Sequence, residues 1–260
     1  MQESGGGKLV FAGVVVIGDE ILSGRTRDIN VQQIAAFLSP LGIGLKEVRI
    51  VSDARSAIIE AVCALSECYD YVFTTGGIGP THDDITADAV AAAFGRAIDV
   101  RADARAILER WYARIGTEIT PARLRMARIP DGASLIENPI TGAPGFQLEN
   151  VFVLAGVPRI ARGMLEDVAH RLEGGAITHS VTVRLENARE GDLAEALARL
   201  QAQYPQVALG SYPWFRETEG GAMVRGVTLV ARGVDHSLLA DVEEALRGLS
   251  VKISPATTRP

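Results

Sequence analysis

The chain is 260 residues long, room for one large domain or for a domain with a small companion. Hydrophobic residues make up 47% and charged residues 22%, which excludes wholesale disorder, and the 27 glycines exceed the usual share of about 7%, so tight turns are expected. The net charge of -6, from 26 basic and 32 acidic residues, draws the chain neither to nucleic acid nor to an anionic membrane, and no Lys/Arg cluster with interleaved aromatics appears.

Residues 9–17 form the longest apolar run, too short for a bilayer and suited to a buried strand. Residues 1–8 lack the basic region and cleavage site of a signal peptide, and a cytoplasmic location is expected. A helix over 30–41 stops at Gly42, and a second strand covers 43–51. Asp53 caps a helix to about residue 67, with Ile58, Val62 and Leu65 on one face. Cys63 and Cys68 stand five apart on that helix, face different ways, and are read as neither a disulfide nor a metal pair. A third strand covers 71–75, and a helix over 84–94 ends at Gly95. Apolar strands alternating with helices predict a parallel sheet covered on both faces.

Helices follow over 102–115 and 121–127, then short strands over 133–136, 145–148 and 151–154. Pro158 opens an amphipathic helix to about residue 172. After Gly174-Gly175 the pattern changes. Val181, Val183 and Leu185 alternate as in a half-buried strand, and Leu193, Leu197 and Leu200 stand at helical spacing. Strands around 207–212 and 223–231 precede a helix carrying Leu238, Val242, Leu246 and Leu249. The expected fold is α/β: a three-layer α/β/α, mostly parallel sheet over 8–174 with a small C-terminal α+β domain over 176–252. Residues 1–7 and 253–260 are expected to be disordered.

Chemistry concentrates in three loops. The first is Thr74-Thr-Gly-Gly-Ile-Gly-Pro-Thr-His-Asp-Asp-Ile-Thr86, between a strand and a helix, at the strand end where such sheets bind ligands. Gly76, Gly77 and Gly79 let backbone N–H groups approach an anion, and the helix N-terminus adds partial positive charge; the Gly-Lys-Ser/Thr ending of a Walker loop is absent. Thr75, Pro80 and Thr81 complete the expected ligand contacts. Asp83 and Asp84 repel a phosphate unless a cation such as Mg²⁺ lies between. Either acid could cap the helix; two exceed what one cap requires, which leaves Asp83 as the better metal or substrate ligand. His82 reads as a solvated loop residue.

The second loop, Gly18-Asp-Glu-Ile-Leu-Ser-Gly-Arg-Thr-Arg-Asp-Ile-Asn30, brings Asp19 and Glu20 to the end of the first strand, with Ser23, Arg25 and Thr26 as donors for phosphate or ribose oxygens. A plain acidic loop is the simpler reading of it alone. Asp53 ends the second strand, so three strands deliver acids to one edge. The third, Asn138-Pro-Ile-Thr-Gly-Ala-Pro-Gly-Phe146, with Asn138, Gly142 and Gly145, reads as a hairpin connection or as a wall receiving a flat ring.

These three loops, with Leu154-Ala-Gly-Val-Pro158, resemble the competence/damage-inducible protein A family and, more broadly, the molybdopterin-binding domain of molybdenum cofactor biosynthesis, over roughly residues 9–172. Leu209-Gly-Ser-Tyr-Pro213 resembles the same domain where it is attached to eukaryotic FAD synthases. The resemblance implies a nucleotide or pterin ligand held by Gly76, Gly77, Gly79 and Asp83. It further implies metal-dependent pyrophosphatase activity on ADP-ribose or FAD, in which Asp83, Asp19 and Glu20 are the catalytic residues and hold a divalent cation. The alternatives are adenylylation of molybdopterin and non-catalytic binding. A homodimer or homotrimer is implied by resemblance alone. Longer relatives carry a C-terminal domain hydrolysing nicotinamide mononucleotide, an activity not expected from these 260 residues.

Overall fold

The computed structural model describes residues 8–252; the disorder expected at 1–7 and 253–260 lies outside the described residues. The chain divides into two compact units with the break between Ala176 and Ile177.

The first unit opens with β1 (Val10–Ile17) and a short helix α1 (Asp19–Leu22), followed by α2 (Asn30–Leu38), β2 (Ile43–Val51), α3 (Arg55–Cys68), β3 (Tyr71–Thr75) and α4 (Thr86–Ala93). Next come β4 (Ile98–Val100), α5 (Ala102–Arg114), α6 (Pro121–Leu124), β5 (Arg128–Pro130), β6 (Ser134–Ile136), β7 (Gly145–Leu148), β8 (Val151–Leu154) and α7 (Pro158–Val168). Six strands form one sheet in the order β2-β1-β3-β8-β7-β6. β2, β1, β3 and β8 run parallel, and the pairs β8–β7 and β7–β6 are antiparallel. β4 and β5 make a separate antiparallel pair that the sequence reading lacked.

β1 is apolar throughout because both its faces are covered. Val10, Ala12, Val14 and Val16 pack with Ile34 and Leu38 of α2 and Met164, Leu165 and Val168 of α7. Val15 and Ile17 point the other way, towards Ile58, Val62 and Leu65 of α3, Val90 of α4 and Leu108 of α5. The result is three layers. The helix after β1 lies on one face and the helix after β3 on the other, although the two strands are neighbours. A crevice therefore opens between their carboxyl ends, the switch point at which sheets of this kind bind ligands.

Two helix starts differ from expectation. Asp53 does not cap α3, whose N-cap position is Ala54 with no side-chain bond; its carboxylate is taken by the Asp19 amide at 2.9 Å. The fourth helix begins at Thr86, not at 84, because the Asp84 carboxylate turns back to accept the Thr81 amide at 2.7 Å and the Thr81 hydroxyl.

The second unit contains β9 (His179–Glu186), α8 (Glu190–Gln203), β10 (Ala208–Glu217), β11 (Met223–Gly233) and α9 (His236–Lys252). Its three strands are antiparallel in the order β10-β11-β9. Val183, Leu185, Val227 and Leu229 meet Leu193, Val242 and Leu246 in a core of its own. Cys63 is half-buried, Cys68 is exposed, and both are free thiols. No helix among the described residues is long and apolar enough to cross a membrane.

Candidate functional site

The glycine loop leaves β3 with Gly76 at φ 102° and Gly77 at φ 65°, values that favour glycine strongly. Space enforces the same choice. A Cβ on Gly76 would stand 2.2 Å from the Ile17 carbonyl oxygen, and one on Gly77 2.2 Å from the Thr86 hydroxyl. Buried Thr86 fastens the loop from the other end: its hydroxyl donates to the Gly76 carbonyl at 2.9 Å and its amide to the Gly77 carbonyl at 3.0 Å. Gly156 closes the back, since a Cβ there would lie 3.1 Å from the Gly76 Cα, and the buried Asn30 amide donates to the Gly156 carbonyl at 2.8 Å. The loops after β1, β3 and β8 are thus knitted into one edge.

Beside this loop lies a cleft of about 640 Å³, within the range of small-molecule sites. Gly76, Gly77, Gly79 and Pro80 line one side. Four carboxylates line it too: Glu20, Asp53, Asp83 and Asp84, with no Lys, Arg or His among the lining residues. Burial pushes the Asp53 carboxyl above its ordinary value, the negative charges of Asp19, Glu20 and Asp83 add to the rise, and the hydrogen bond from the Asp19 amide opposes it. Asp83 moves the other way, held below the ordinary value by hydrogen bonding within its own turn, while the Thr81 hydroxyl itself donates to Asp84. His82 is 99% exposed, with Nδ1 3.8 Å from Asp83. Arg125 stands behind the loop, donating to the Asp84 carbonyl at 3.5 Å.

Among the described residues no three His, Cys, Asp or Glu side chains stand together closely enough to hold a metal by themselves. The donors nonetheless fit Mg²⁺, a hard cation commonly bound by one or two carboxylates plus substrate phosphates. The feature that suits a cation is the set of four carboxylates lining one cleft without a basic side chain among them.

Of the other expected site residues only Thr26 and Asn138 line the cleft. Exposed Asp19 meets Asp53 through its backbone, and Ser23, also exposed, donates its hydroxyl to the Glu20 carbonyl at 3.3 Å. Thr75 is buried in β3, and Thr81 closes the turn with Asp84. Asn138 lines the cleft, but its amide is spent within its loop: it donates to Thr141 and Ala143 and accepts from the Ile140 and Thr141 amides. Gly142 and Gly145 are packing glycines outside the cleft; a Cβ would meet Trp111 at 2.5 Å in the first case and the Val153 carbonyl at 2.3 Å in the second. The sequence reading missed Thr86, Asn30, Gly156 and the cleft-lining Tyr112 and Met126. A threonine and an asparagine opening helices were a usable signal for the first two; Tyr112 and Met126 carry none.

Residues 13–174 match the family described as "Probable molybdopterin binding domain", and residues 178–254 match "FAD synthase, middle domain". A CinA-like protein of Gemmatimonas aurantiaca is 36% identical over 199 residues, which are 72% of this chain and 46% of that protein. The chain spans about half the length of such CinA-like relatives. A protein of Aeropyrum pernix is 33% identical over 251 residues, covering 92% of this chain and 90% of its own. Among solved structures, the protein CinA of unknown function from Thermoplasma acidophilum is 34% identical, with a TM-score of 0.58 over 62% of this chain and 98% of that one. The chain belongs to the CinA-type family of molybdopterin-binding domains, followed by a unit of the FAD synthase middle-domain kind.

Proposed function

We propose that the first unit binds a phosphate-bearing nucleotide or pterin in the acidic cleft and hydrolyses the pyrophosphate of an ADP-ribose- or FAD-like dinucleotide with a divalent cation. The observation that carries this reading is a glycine loop and four carboxylates, two of them on the loop itself, bordering one cleft lined by no basic side chain. An anionic ligand there needs a positive partner that the lining does not provide. Glu20, Asp83 and the neighbouring Asp19 are the residues that would hold a cation. The chemistry such a cation supplies is neutralisation of charge on the pyrophosphate. The Gly76–Gly79 amides orient one phosphate, and the Asp53 carboxylate holds the Asp19 amide and with it the first-strand loop. In the reaction a water oxygen bonds to one phosphorus, the bridging oxygen leaves with the other, and two phosphomonoesters result.

Purified protein is incubated with ADP-ribose and with FAD in Mg²⁺, Mn²⁺ or Co²⁺. AMP appears together with ribose 5-phosphate or FMN, and Asp83→Asn abolishes it. No turnover with any metal, alongside tight pterin binding, rejects the reading. The family match of residues 13–174 favours a second reading, adenylylation of molybdopterin, which requires ATP-dependent formation of an adenylylated pterin. The FAD synthase middle-domain match of the following unit favours the hydrolase. A non-catalytic binder is distinguished by Asp83→Asn binding phosphate more tightly instead of losing activity. The implied homodimer or homotrimer is read by sedimentation.

A further inference from the structure

Behind the 138–144 loop the first unit holds a second cavity, of about 730 Å³ and different charge. One loop is wall to both spaces: Thr141 and Ala143 face the acidic cleft, Gly142 and Pro144 face the cavity, and Asn138 borders each. α5 is shared in the same way, with Tyr112 on the cleft and Arg110, Trp111 and Arg114 on the cavity. Gly142, at φ 72°, is what lets the loop close on the Trp111 indole. The Arg114 guanidinium lies over that indole, 4.1 Å from the ring centroid.

Arg110 and Arg114 stand four apart on one helix, a spacing at which like charges cost helix stability. The arginines of Arg105–Glu109, Asp167–Arg171, Glu195–Arg199 and Glu243–Arg247 each have an acid at that spacing. Within the cavity Asp167 is already committed, to Arg171 at 3.0 Å and to the Glu137 amide at 3.0 Å. Arg171 is fixed by a further bond to the Leu135 carbonyl at 2.7 Å. Among the described residues Arg110 has neither a hydrogen bond nor an ion pair. An indole and a guanidinium already stacked form a platform that a planar ring extends, and a free guanidinium on the same helix suits a phosphate.

We propose that this cavity binds a phosphomonoester carrying a planar heterocycle, such as a nucleoside monophosphate, with its ring on the Trp111–Arg114 stack and its phosphate on Arg110. The site requires no turnover and does not depend on the hydrolase reading. In the full chain carrying Trp214→Phe, Trp111 is the one remaining tryptophan of the two, and its fluorescence is titrated with AMP, adenosine and inorganic phosphate. AMP quenches it equally in EDTA and in Mg²⁺, and binds more tightly than adenosine or phosphate alone. Arg110→Glu and Arg110→Gln weaken AMP about tenfold or more, the loss of a charge-assisted contact. Titration calorimetry on the chain with Trp214 intact repeats the comparison free of any effect of that substitution. Unchanged affinity in the Arg110 variants overturns the proposal, as does binding that demands a divalent cation, which places AMP in the acidic cleft. Phosphate binding as tightly as AMP removes the ring from the site.

Discussion

Asp53 is pushed up by burial and by Asp19, Glu20 and Asp83, so the folded chain holds its proton more tightly than the unfolded chain does. The stabilisation it contributes is complete below the unfolded carboxylate value and is lost as pH rises through the raised folded value. Asp53→Asn keeps an oxygen for the Asp19 amide and removes the charge. It is expected to raise the melting temperature at about pH 8 but hardly at about pH 3; equal gains at both pH values would contradict the assignment. Mg²⁺ is expected to raise the melting temperature of the unaltered chain near neutral pH, and to do so less in Asp83→Asn. Gly77→Ala tests the loop. Its Cβ meets the Thr86 hydroxyl at 2.2 Å on top of a strained φ, whereas Gly116, at φ 66°, has open space around it. Denaturant unfolding should show Gly77→Ala losing about 1–3 kcal/mol, and more than Gly116→Ala.

At the scale of elements, helix positions were legible wherever apolar residues recur at helical spacing, as at Ile58, Ala61, Val62 and Leu65 of α3. Helix starts were less so. Asp53 and Asp84 are good capping residues by type, yet both carboxylates are taken otherwise: one by the Asp19 amide, which only folding brings near, and the other by Thr81 within the loop's own turn. What anchors the start of α4 to the loop is Thr86. Thr86→Val leaves the buried Gly76 carbonyl without that donor and is expected to cost about 1–3 kcal/mol, while Thr86→Ser retains most of the stability. Equal melting temperatures for the two variants would show that the hydroxyl bond contributes little.

At the scale of the whole molecule, each unit has its own core, and the solved Thermoplasma acidophilum relative corresponds over 98% of its length to 62% of this chain. A fragment of residues 8–176 is therefore expected to unfold in one cooperative transition and to keep the cation-dependent stabilisation; a fragment with no cooperative melt would show that its core is insufficient alone.

Most strands and helices were legible in the sequence by itself, because apolar periodicity reports which faces are buried, though the short β4–β5 pair was not; the glycines of the 76–84 loop likewise marked a tight turn between a strand and a helix. Tertiary structure decided which acids meet. Glu20, Asp53 and Asp83 lie on three separate segments, and only the strand order β2-β1-β3 brings those segments to one crevice. It also separated Gly76 and Gly77, which shape the loop lining the cleft, from Gly142 and Gly145, which make room for Trp111 and Val153. Residue type alone carries no such distinction, since a glycine serves equally where a ligand must approach and where a neighbouring side chain must fit.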